Sequence, residues 1–314
     1  MKNAKSKLLY VAIVSTAILC SACGSGNDLN ENNVTVDENM EITDDGQLSD
    51  DAAESGEADA PAGENTPAQE TTAEDITAEP FATVSIEIKT FEDERTAEDG
   101  TVLYRRSYSQ PTVTIAGNEE ASEKINADIQ TRIDNFMASE QMYNEAEEFY
   151  EVTQAEEDFI FHEYIESLDF AAARADTSVI SFIMTTYMDT GGAHGLYGDF
   201  GINYDTDTGE LIKFSELSEY PDKFYNDTLA YNRELSQTDE YKERMFEEGF
   251  LGEDEFENVL YADEKWYLSD EGLVFISNPY ELGPYAAGII RFVIPYDELS
   301  EMGLKEEYSY PTDP

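Results

Sequence analysis

Residues 167–188 read SLDFAAARADTSVISFIMTTYM, and this stretch decides the fold class. Its two halves, 167–175 and 178–188, carry the apolar and β-branched side chains typical of strands, and Asp176 lies between them. Aspartate is favoured in tight turns because its carboxylate can accept hydrogen bonds from the backbone that follows. The stretch therefore predicts two paired strands around a turn near Asp176.

The residues before this stretch predict three further strands. Residues 82–89 alternate between apolar and polar side chains, which is typical of a half-buried strand. Residues 102–108 and 112–115 predict two more. Pro111 is expected to separate these two because proline cannot donate a hydrogen bond within a sheet.

A long helix is predicted between these strands and the 167–188 stretch. Asn118 is a suitable N-cap, and two glutamates follow it in the first turn, where the helix dipole favours anions. Ile125, Ile129 and Ile133 then recur at helical spacing, so one face of this helix is expected to be buried.

The residues after position 200 predict more strands and an amphipathic helix at 222–236. The strands are expected at 201–204, 210–214, 266–268, 273–277 and 289–295. Because strands and helices occur in groups rather than in alternation, the sequence predicts an α+β fold. In this fold, antiparallel or mixed sheets pack with one long helix and several shorter helices.

The first 23 residues have the pattern of a bacterial lipoprotein signal peptide. Three lysines precede an apolar run at 8–19, which is too short for a membrane span of about 20 residues but suits a secretion signal. Small residues then lead to Cys23, which is the predicted lipidation site. The expected location is the outer face of the bacterial cytoplasmic membrane, facing the cell wall. The alternative is an ordinary signal peptide cut near Ala22.

A change in composition at residue 81 separates a tether from a folded body. Residues 24–80 contain 17 acidic side chains and neither basic nor aromatic ones, so they predict a disordered acidic tether. Residues 81–314 hold 36 aromatic side chains, enough for a substantial core. The body is expected to comprise an N-terminal half, 81–189, and a C-terminal half, 190–314.

The charge balance excludes several classes of protein. The chain has 70 acidic and 18 basic residues, a formal net charge of -52, so it lacks the clustered cations that bind nucleic acid or anionic lipid. Contact with the membrane is therefore expected only through the lipid anchor. Two Cys and two His are too few for a Cys-rich zinc module or a disulfide scaffold, and no cofactor is predicted.

A glycine-rich loop, residues 190–197 (TGGAHGLY), is the first candidate site. Gly191, Gly192 and Gly195 permit unusual backbone angles, and His194 and Tyr197 accompany them. His194 can bond the loop backbone, contact a partner, or act as a general base or metal ligand. No GxSxG or HExxH motif supports catalysis, so no catalytic residue or metal ligand is predicted.

A second loop, residues 278–288 (NPYELGPYAAG), carries the other candidate binding residues. They are Tyr280, Pro284, Tyr285 and Gly288. The loop can be a rigid turn packed by its aromatic rings, or a binding edge, because surface tyrosines suit recognition.

Asp205, Asp207 and Glu216 occupy positions one, three and twelve of a loop that resembles a calcium-binding EF-hand loop. Glu210 stands where such a loop requires glycine. A hairpin turn is therefore favoured, and no metal site is predicted.

The two candidate loops resemble the RsiV-type extracellular domain. The resemblance rests on TGGAHG at 190–195, on the NYD strand at 203–205, on FSEL at 214–217, and on PYAAG at 284–288 followed by IPY at 294–296. Residues 81–189 resemble the N-terminal half often found with this domain. The family is largely of unknown function; it includes an anti-sigma-factor ectodomain that binds lysozyme, and related domains sit beside peptidoglycan deacetylases.

The resemblance and the charge imply a surface binding module rather than an enzyme. The expected partner is a basic protein such as lysozyme, or peptidoglycan. Two alternatives remain: a cell-wall-active hydrolase that uses His194, and an envelope protein without a dedicated ligand.

Overall fold

The computed structural model describes residues 84–154, 160–247, 252 and 254–310, and it has the α+β architecture that the sequence predicts. The strands are β1 Val84–Thr96, β2 Val102–Ile115, β3 Tyr164–Ala175, β4 Val179–Asp189, β5 Leu196–Asp205, β6 Trp266–Leu268, β7 Gly272–Ser277 and β8 Ile290–Pro295. The helices are α1 Glu119–Ala138, α2 Gln141–Thr153, α3 Pro221–Ser236, α4 Asp239–Lys242, α5 Glu255–Leu260 and α6 Tyr296–Met302. The predicted signal peptide, the predicted tether and Cys23 lie outside the described residues.

The first five strands form one mixed sheet in the order β1-β2-β3-β4-β5. Only β2 and β3 pair in parallel; the other neighbours are antiparallel. The predicted turn between β3 and β4 is confirmed, because the Asp176 carboxylate accepts hydrogen bonds from the backbone N–H groups of Ser178 and Val179 at 2.8 and 2.9 Å.

The predicted break at Pro111 is wrong, since β2 runs through it without interruption. The backbone N–H and C=O of Val113 both bond the side chain of Asn126, so they point away from β1. Two residues earlier, the nitrogen of Pro111 points the same way, because backbone direction alternates along a strand. There β3 no longer pairs with β2, so no sheet hydrogen bond is lost.

Helix α1 covers the first sheet and confirms the predicted helix. Its N-cap is Asn118, whose side chain accepts a hydrogen bond from the N–H of Ala121 at 3.2 Å. Ile125, Ile129 and Ile133 are buried in the core between α1 and the sheet. Each such side chain contributes about 2 kcal/mol through removal of its apolar surface from water.

The second sheet, β6-β7-β8, is antiparallel and packs with α3, α5 and α6 around a separate core. The outer edge of β5 contacts the residues that lead into β6. The Gly201 N–H donates a hydrogen bond to the carbonyl of Glu264 at 2.7 Å. A Cβ atom at position 201 would lie 1.9 Å from the carbonyl oxygen of Trp266, so only glycine fits this approach.

The predicted strand at 210–214 is wrong except for a single bridge between Tyr204 and Leu211. Asn203 explains the difference, because its side chain accepts a hydrogen bond from the backbone N–H of Leu268 and so joins β5 to β6. Residues 210–212 therefore bond only the end of β5, where the Asp205 N–H donates to Glu210 and the Ile212 N–H donates to Asn203, and the β6 segment adjoins β5 from there on. In the part of the chain described, no helix is long and apolar enough to cross a membrane.

Candidate binding surface

The glycine-rich loop connects β4 to β5 and is held from below. The Asp189 carboxylate accepts hydrogen bonds from the Gly191 N–H at 2.8 Å and from the Tyr187 hydroxyl at 3.1 Å. Gly191 has a φ of +72°, and a Cβ at Gly195 would lie 2.4 Å from the Tyr187 oxygen. These two positions therefore need glycine, whereas Gly192 is exposed with open space around it.

His194 projects from this loop, and both of its ring nitrogens are bonded. Nδ1 lies 3.0 Å from the carbonyl oxygen of Gly195, which only accepts, so Nδ1 carries the proton in the neutral ring. Nε2 then accepts a hydrogen bond from the Tyr280 hydroxyl at 3.2 Å. The ring stacks on Tyr285 with 3.8 Å between centroids and 19° between planes.

Tyr280 and Tyr285 come from the second candidate loop, between β7 and β8. The Tyr285 hydroxyl donates to the same Gly195 carbonyl at 2.8 Å, so it fixes one loop against the other. Tyr280 is 55% exposed and has a φ of +72°, a conformation that costs a non-glycine residue roughly 1–3 kcal/mol.

Tyr197 completes the cluster, with its ring at 76° to that of Tyr285 and 5.8 Å between centroids. We call His194, Tyr197, Tyr280 and Tyr285 the aromatic surface. Pro284 is exposed beside it. Gly288 has a φ of +66°, and a Cβ there would lie 3.4 Å from the Tyr197 hydroxyl.

A partly buried ion pair that the sequence analysis missed positions the second loop. The Lys265 ammonium pairs with the Glu281 carboxylate at 2.5 Å. The other oxygen of Glu281 accepts from the backbone N–H of Asn278, also at 2.5 Å. The Asn278 amide in turn bonds the backbone of Asp199 on β5, at 2.8 Å to the N–H and 3.2 Å to the C=O. No local motif marks Lys265 or Asn278, because Lys265 lies 16 residues from Glu281 and Asn278 lies 79 residues from Asp199.

The Tyr285 hydroxyl stays protonated near neutral pH. Partial desolvation raises the pKa of Tyr285 above its usual value, and Tyr197, Tyr280 and Asp189 add to the shift. Tyr285 is therefore a hydrogen-bond donor under physiological conditions. With the polar atoms of His194, Tyr280 and Tyr285 bonded to the two loops, the ring faces and edges are what the surface offers to a ligand.

The loop that resembles a calcium-binding loop is a turn, in which the Asp205 carboxylate accepts hydrogen bonds from the backbone. Asp205 Oδ1 accepts from the Asp207 and Thr208 N–H groups at 3.1 and 2.8 Å, which confirms the predicted turn. Among residues 84–154, 160–247, 252 and 254–310, no group of three or more His, Cys, Asp or Glu side chains is arranged to hold a metal ion.

Fold and surface together define an α+β body on which two loops form one aromatic cluster. Residues 211–297 match a family described as a protein of unknown function (DUF3298), and residues 98–197 match a family described as Deacetylase PdaC. The aromatic surface draws on both segments, since His194 and Tyr197 lie in the second and Tyr280 and Tyr285 in the first. No curated protein matches the chain.

Two solved structures resemble this one. A DUF3298 family member from Bacteroides fragilis NCTC 9343 gives a TM-score of 0.50 at 16% identity, covering 72% of this chain and 96% of that one. A DUF3298 family protein from Pseudomonas aeruginosa PAO1 gives 0.48 at 13% identity, covering 73% and 98%. At such low identity, the first similarity shows the fold alone.

Proposed function

We propose that this protein is a binding module, not an enzyme, and that its aromatic surface captures a basic protein such as lysozyme or a component of the cell wall. The observation that carries the proposal is the stack of His194 on Tyr285 beside the exposed ring of Tyr280. Large rings that are already held in place lose little conformational entropy on binding, which suits them as anchors.

Charge favours a cationic partner. Residues 81–314 carry 53 acidic and 15 basic side chains, so they attract a basic protein over long range and raise its association rate. Salt shortens this attraction to about 8 Å at physiological ionic strength. Binding that persists there needs contacts at a defined site. Arginine and lysine side chains can make such contacts on tyrosine rings through cation–π interactions.

Titration of the full chain with lysozyme, at low and at physiological salt, tests the proposal. We expect binding to survive at physiological salt and to exceed that of cytochrome c, a second basic protein. Substitution of Tyr280 or Tyr285 by alanine should weaken binding about tenfold or more.

Tyr220 offers a matched control, because it is 69% exposed but lies outside the aromatic surface. Tyr220→Ala should leave the affinity unchanged. Equal binding of both basic proteins, or equal loss in Tyr220→Ala and Tyr280→Ala, would show non-specific attraction. An envelope protein without a dedicated ligand would bind neither lysozyme nor wall fragments at physiological salt.

We further propose that Cys23 is lipidated and anchors the protein at the outer face of the bacterial cytoplasmic membrane. The support is the basic, apolar and small-residue order of the first 23 residues. Fatty-acid labelling should be lost in a Cys23→Ala variant, and labelling that persists would contradict the anchor.

A hydrolase of the cell wall is the second candidate, favoured by the segment at 98–197, whose matching family is named for a deacetylase and which includes His194. In the neutral ring Nε2 is the basic atom of His194, but it already accepts a hydrogen bond from the Tyr280 hydroxyl. Incubation with peptidoglycan fragments separates the two functions. Turnover that His194→Ala abolishes, in a variant that still folds, would favour the hydrolase.

A further inference from the structure

Strand β1 lies at the end of the five-stranded sheet, and among the residues that the structure describes no strand pairs with its outer edge. Ile86 lies opposite Val113, whose backbone groups point away from β1. Opposed residues in an antiparallel pair direct their backbone groups either towards each other or both outward. The N–H and C=O of Ile86 therefore point outward, as do those of the even-numbered residues after it.

The outer edge is regular and accessible over a long distance. Residues 87–96 are all exposed, and the only irregularity in the pairing of β1 with β2 lies between Arg95 and Thr96. Exposed edges of this kind are templates for pairing with another strand, and natural proteins often guard them with charges. The order of the charges on β1 decides whether they prevent pairing with another strand or favour it.

Five side chains on one face of β1 have a self-complementary order. Side chains two residues apart lie on the same face of a strand. This face carries, in order, an anion, a cation, an aromatic ring, an anion and a cation: Glu87, Lys89, Phe91, Asp93 and Arg95. Reversal of the order places a cation opposite each anion and the ring opposite itself.

We propose that two copies of this protein associate through antiparallel pairing of their β1 strands, with the two-fold axis at Phe91. In this register Lys89 faces Asp93 of the second copy, and Glu87 faces Arg95. The outward-facing residues also meet each other, Thr90 with Glu92, so that their backbone groups form the new hydrogen bonds.

Neighbouring registers are less favourable. An axis at Thr90 places Glu87 opposite Asp93, and an axis at Glu92 places Lys89 opposite Arg95. Like charges directly opposite each other destabilise a strand pair. An axis between two residues would set outward-facing backbone groups against inward-facing ones, so hydrogen bonds could not form.

Aromatic contact supports the same register. Phe91 already stacks on Tyr108 of β2, with 4.9 Å between centroids and 16° between planes. Pairing at Phe91 would extend this stack into a row of four rings across two copies. Cross-strand aromatic pairs are among the more stabilising contacts on a sheet.

The ion pairs within one copy leave these charges available. Lys89 lies 3.4 Å from Glu87, and Arg95 lies 3.5 Å from Asp93, with all four side chains at the surface. Exposed pairs of this kind contribute little. Arg95 also contacts Glu140 at 3.8 Å, so Lys89 and Asp93 are the cleaner pair to test.

Disulfide trapping tests the register. The only cysteines in the chain are Cys20 and Cys23, so the full chain with both changed to serine provides a thiol-free background. Phe91→Cys should then form a disulfide-linked dimer under mild oxidation, because opposed Cα atoms in a non-hydrogen-bonded pair are about 4.5 Å apart, within disulfide range.

Lys89→Cys is the matched control. Its position is more exposed than Phe91, with 61% of the side chain accessible, so random collisions would favour its crosslinking. The proposal predicts the reverse order, and it also predicts that a mixture of Lys89→Cys and Asp93→Cys chains crosslinks. If Phe91→Cys crosslinks no faster than Lys89→Cys, the proposal is wrong.

Charge reversal gives an independent readout by sedimentation at physiological salt, in the same background. Lys89→Glu and Asp93→Lys should each raise the dissociation constant of the dimer about tenfold, since each creates two like-charge contacts. The double variant restores opposite charges and has the wild-type net charge, so it should recover the dimer. A monomeric parent, or a double variant as weak as the single ones, would overturn the proposed pairing.

Discussion

The two ends of β5 differ in how their polar groups are used. Near the C-terminal end, Asn203 is buried, and its side chain bonds Ser181, the Trp266 carbonyl and the Leu268 N–H. At the N-terminal end, the rings of His194 and Tyr197 reach the surface with their polar edges towards the two loops. Groups that are both bonded and covered fix the fold, whereas rings that are held but uncovered are available to a partner.

The largest effect on stability is expected at the C-terminal end of β5, where Asn203 is buried. Asn203→Ala removes three hydrogen bonds and leaves the Leu268 N–H and the Trp266 carbonyl buried without a partner. Each buried unsatisfied group costs about 1–3 kcal/mol, so we expect the free energy of unfolding to fall by roughly 3 kcal/mol. Urea denaturation of the full chain measures the change.

Asn258→Ala is the control for this prediction, because Asn258 is an exposed asparagine in α5. Its effect should stay within about 0.5 kcal/mol. If Asn203→Ala costs no more than this control, the junction between β5 and β6 does not depend on the Asn203 amide.

The sequence predicts β5 as a strand but not what Asn203 does in it. Periodicity identifies residues that face a core, and it correctly places Ile125, Ile129 and Ile133 of α1. An asparagine within a strand gives no indication of its partners, and here Ser181 is 22 residues away while Trp266 and Leu268 are more than 60 residues away. The end of β1 is missed for a related reason: residues 90–96 are exposed and mostly polar, and only pairing with β2 makes them a strand.

A smaller effect is expected at the neighbouring Tyr204, and it depends on pH. Burial raises the pKa of Tyr204 far above its usual value near 10, and the Asp128 carboxylate, which accepts a hydrogen bond from the Tyr204 hydroxyl, raises it further. A raised folded-state pKa means that the stabilisation is complete below pH 10 and is lost as the pH rises further. For one such tyrosine, the loss at pH 11 is about 1.4 kcal/mol.

Comparison of wild type with Tyr204→Phe isolates this contribution. The variant starts less stable at pH 8, because the bond to Asp128 is gone, but it should lose less stability between pH 8 and 11. The gap between the two proteins should therefore narrow by about 1.4 kcal/mol. A gap that stays constant, or Tyr220→Phe at the surface behaving like Tyr204→Phe, would contradict the prediction.

The aromatic surface was partly accessible from the sequence. Glycines around a histidine, and tyrosines near proline and glycine, predict two candidate loops, but they do not predict that these loops contact each other. The pairing of Lys265 with Glu281 gives no such signal, because in a chain with 70 acidic residues no single glutamate stands out. The strained backbone of Tyr280 is equally invisible before the structure is known.

The smallest effect on stability is expected at Tyr280, and Glu264 provides the comparison. Among the described residues these are the two non-glycine positions with positive φ, at +72° and +61°. Glycine relieves strain at either position but loses more entropy on folding. Glu264→Gly also removes the ion pair to Arg132, a largely buried cation 2.8 Å away, so it should destabilise the protein by about 1 kcal/mol or more. Tyr280→Gly removes only exposed contacts and should change stability by less than about 0.5 kcal/mol.

Lysozyme binding should show the opposite order: it should weaken in Tyr280→Gly and be unchanged in Glu264→Gly. Tyr280 would then hold a strained backbone conformation without stabilising the fold, and binding of a ligand would be the reason why a tyrosine stands at this position. If Tyr280→Gly proves the more destabilising of the two, the ring is part of the structural support, and the aromatic surface loses its most exposed anchor.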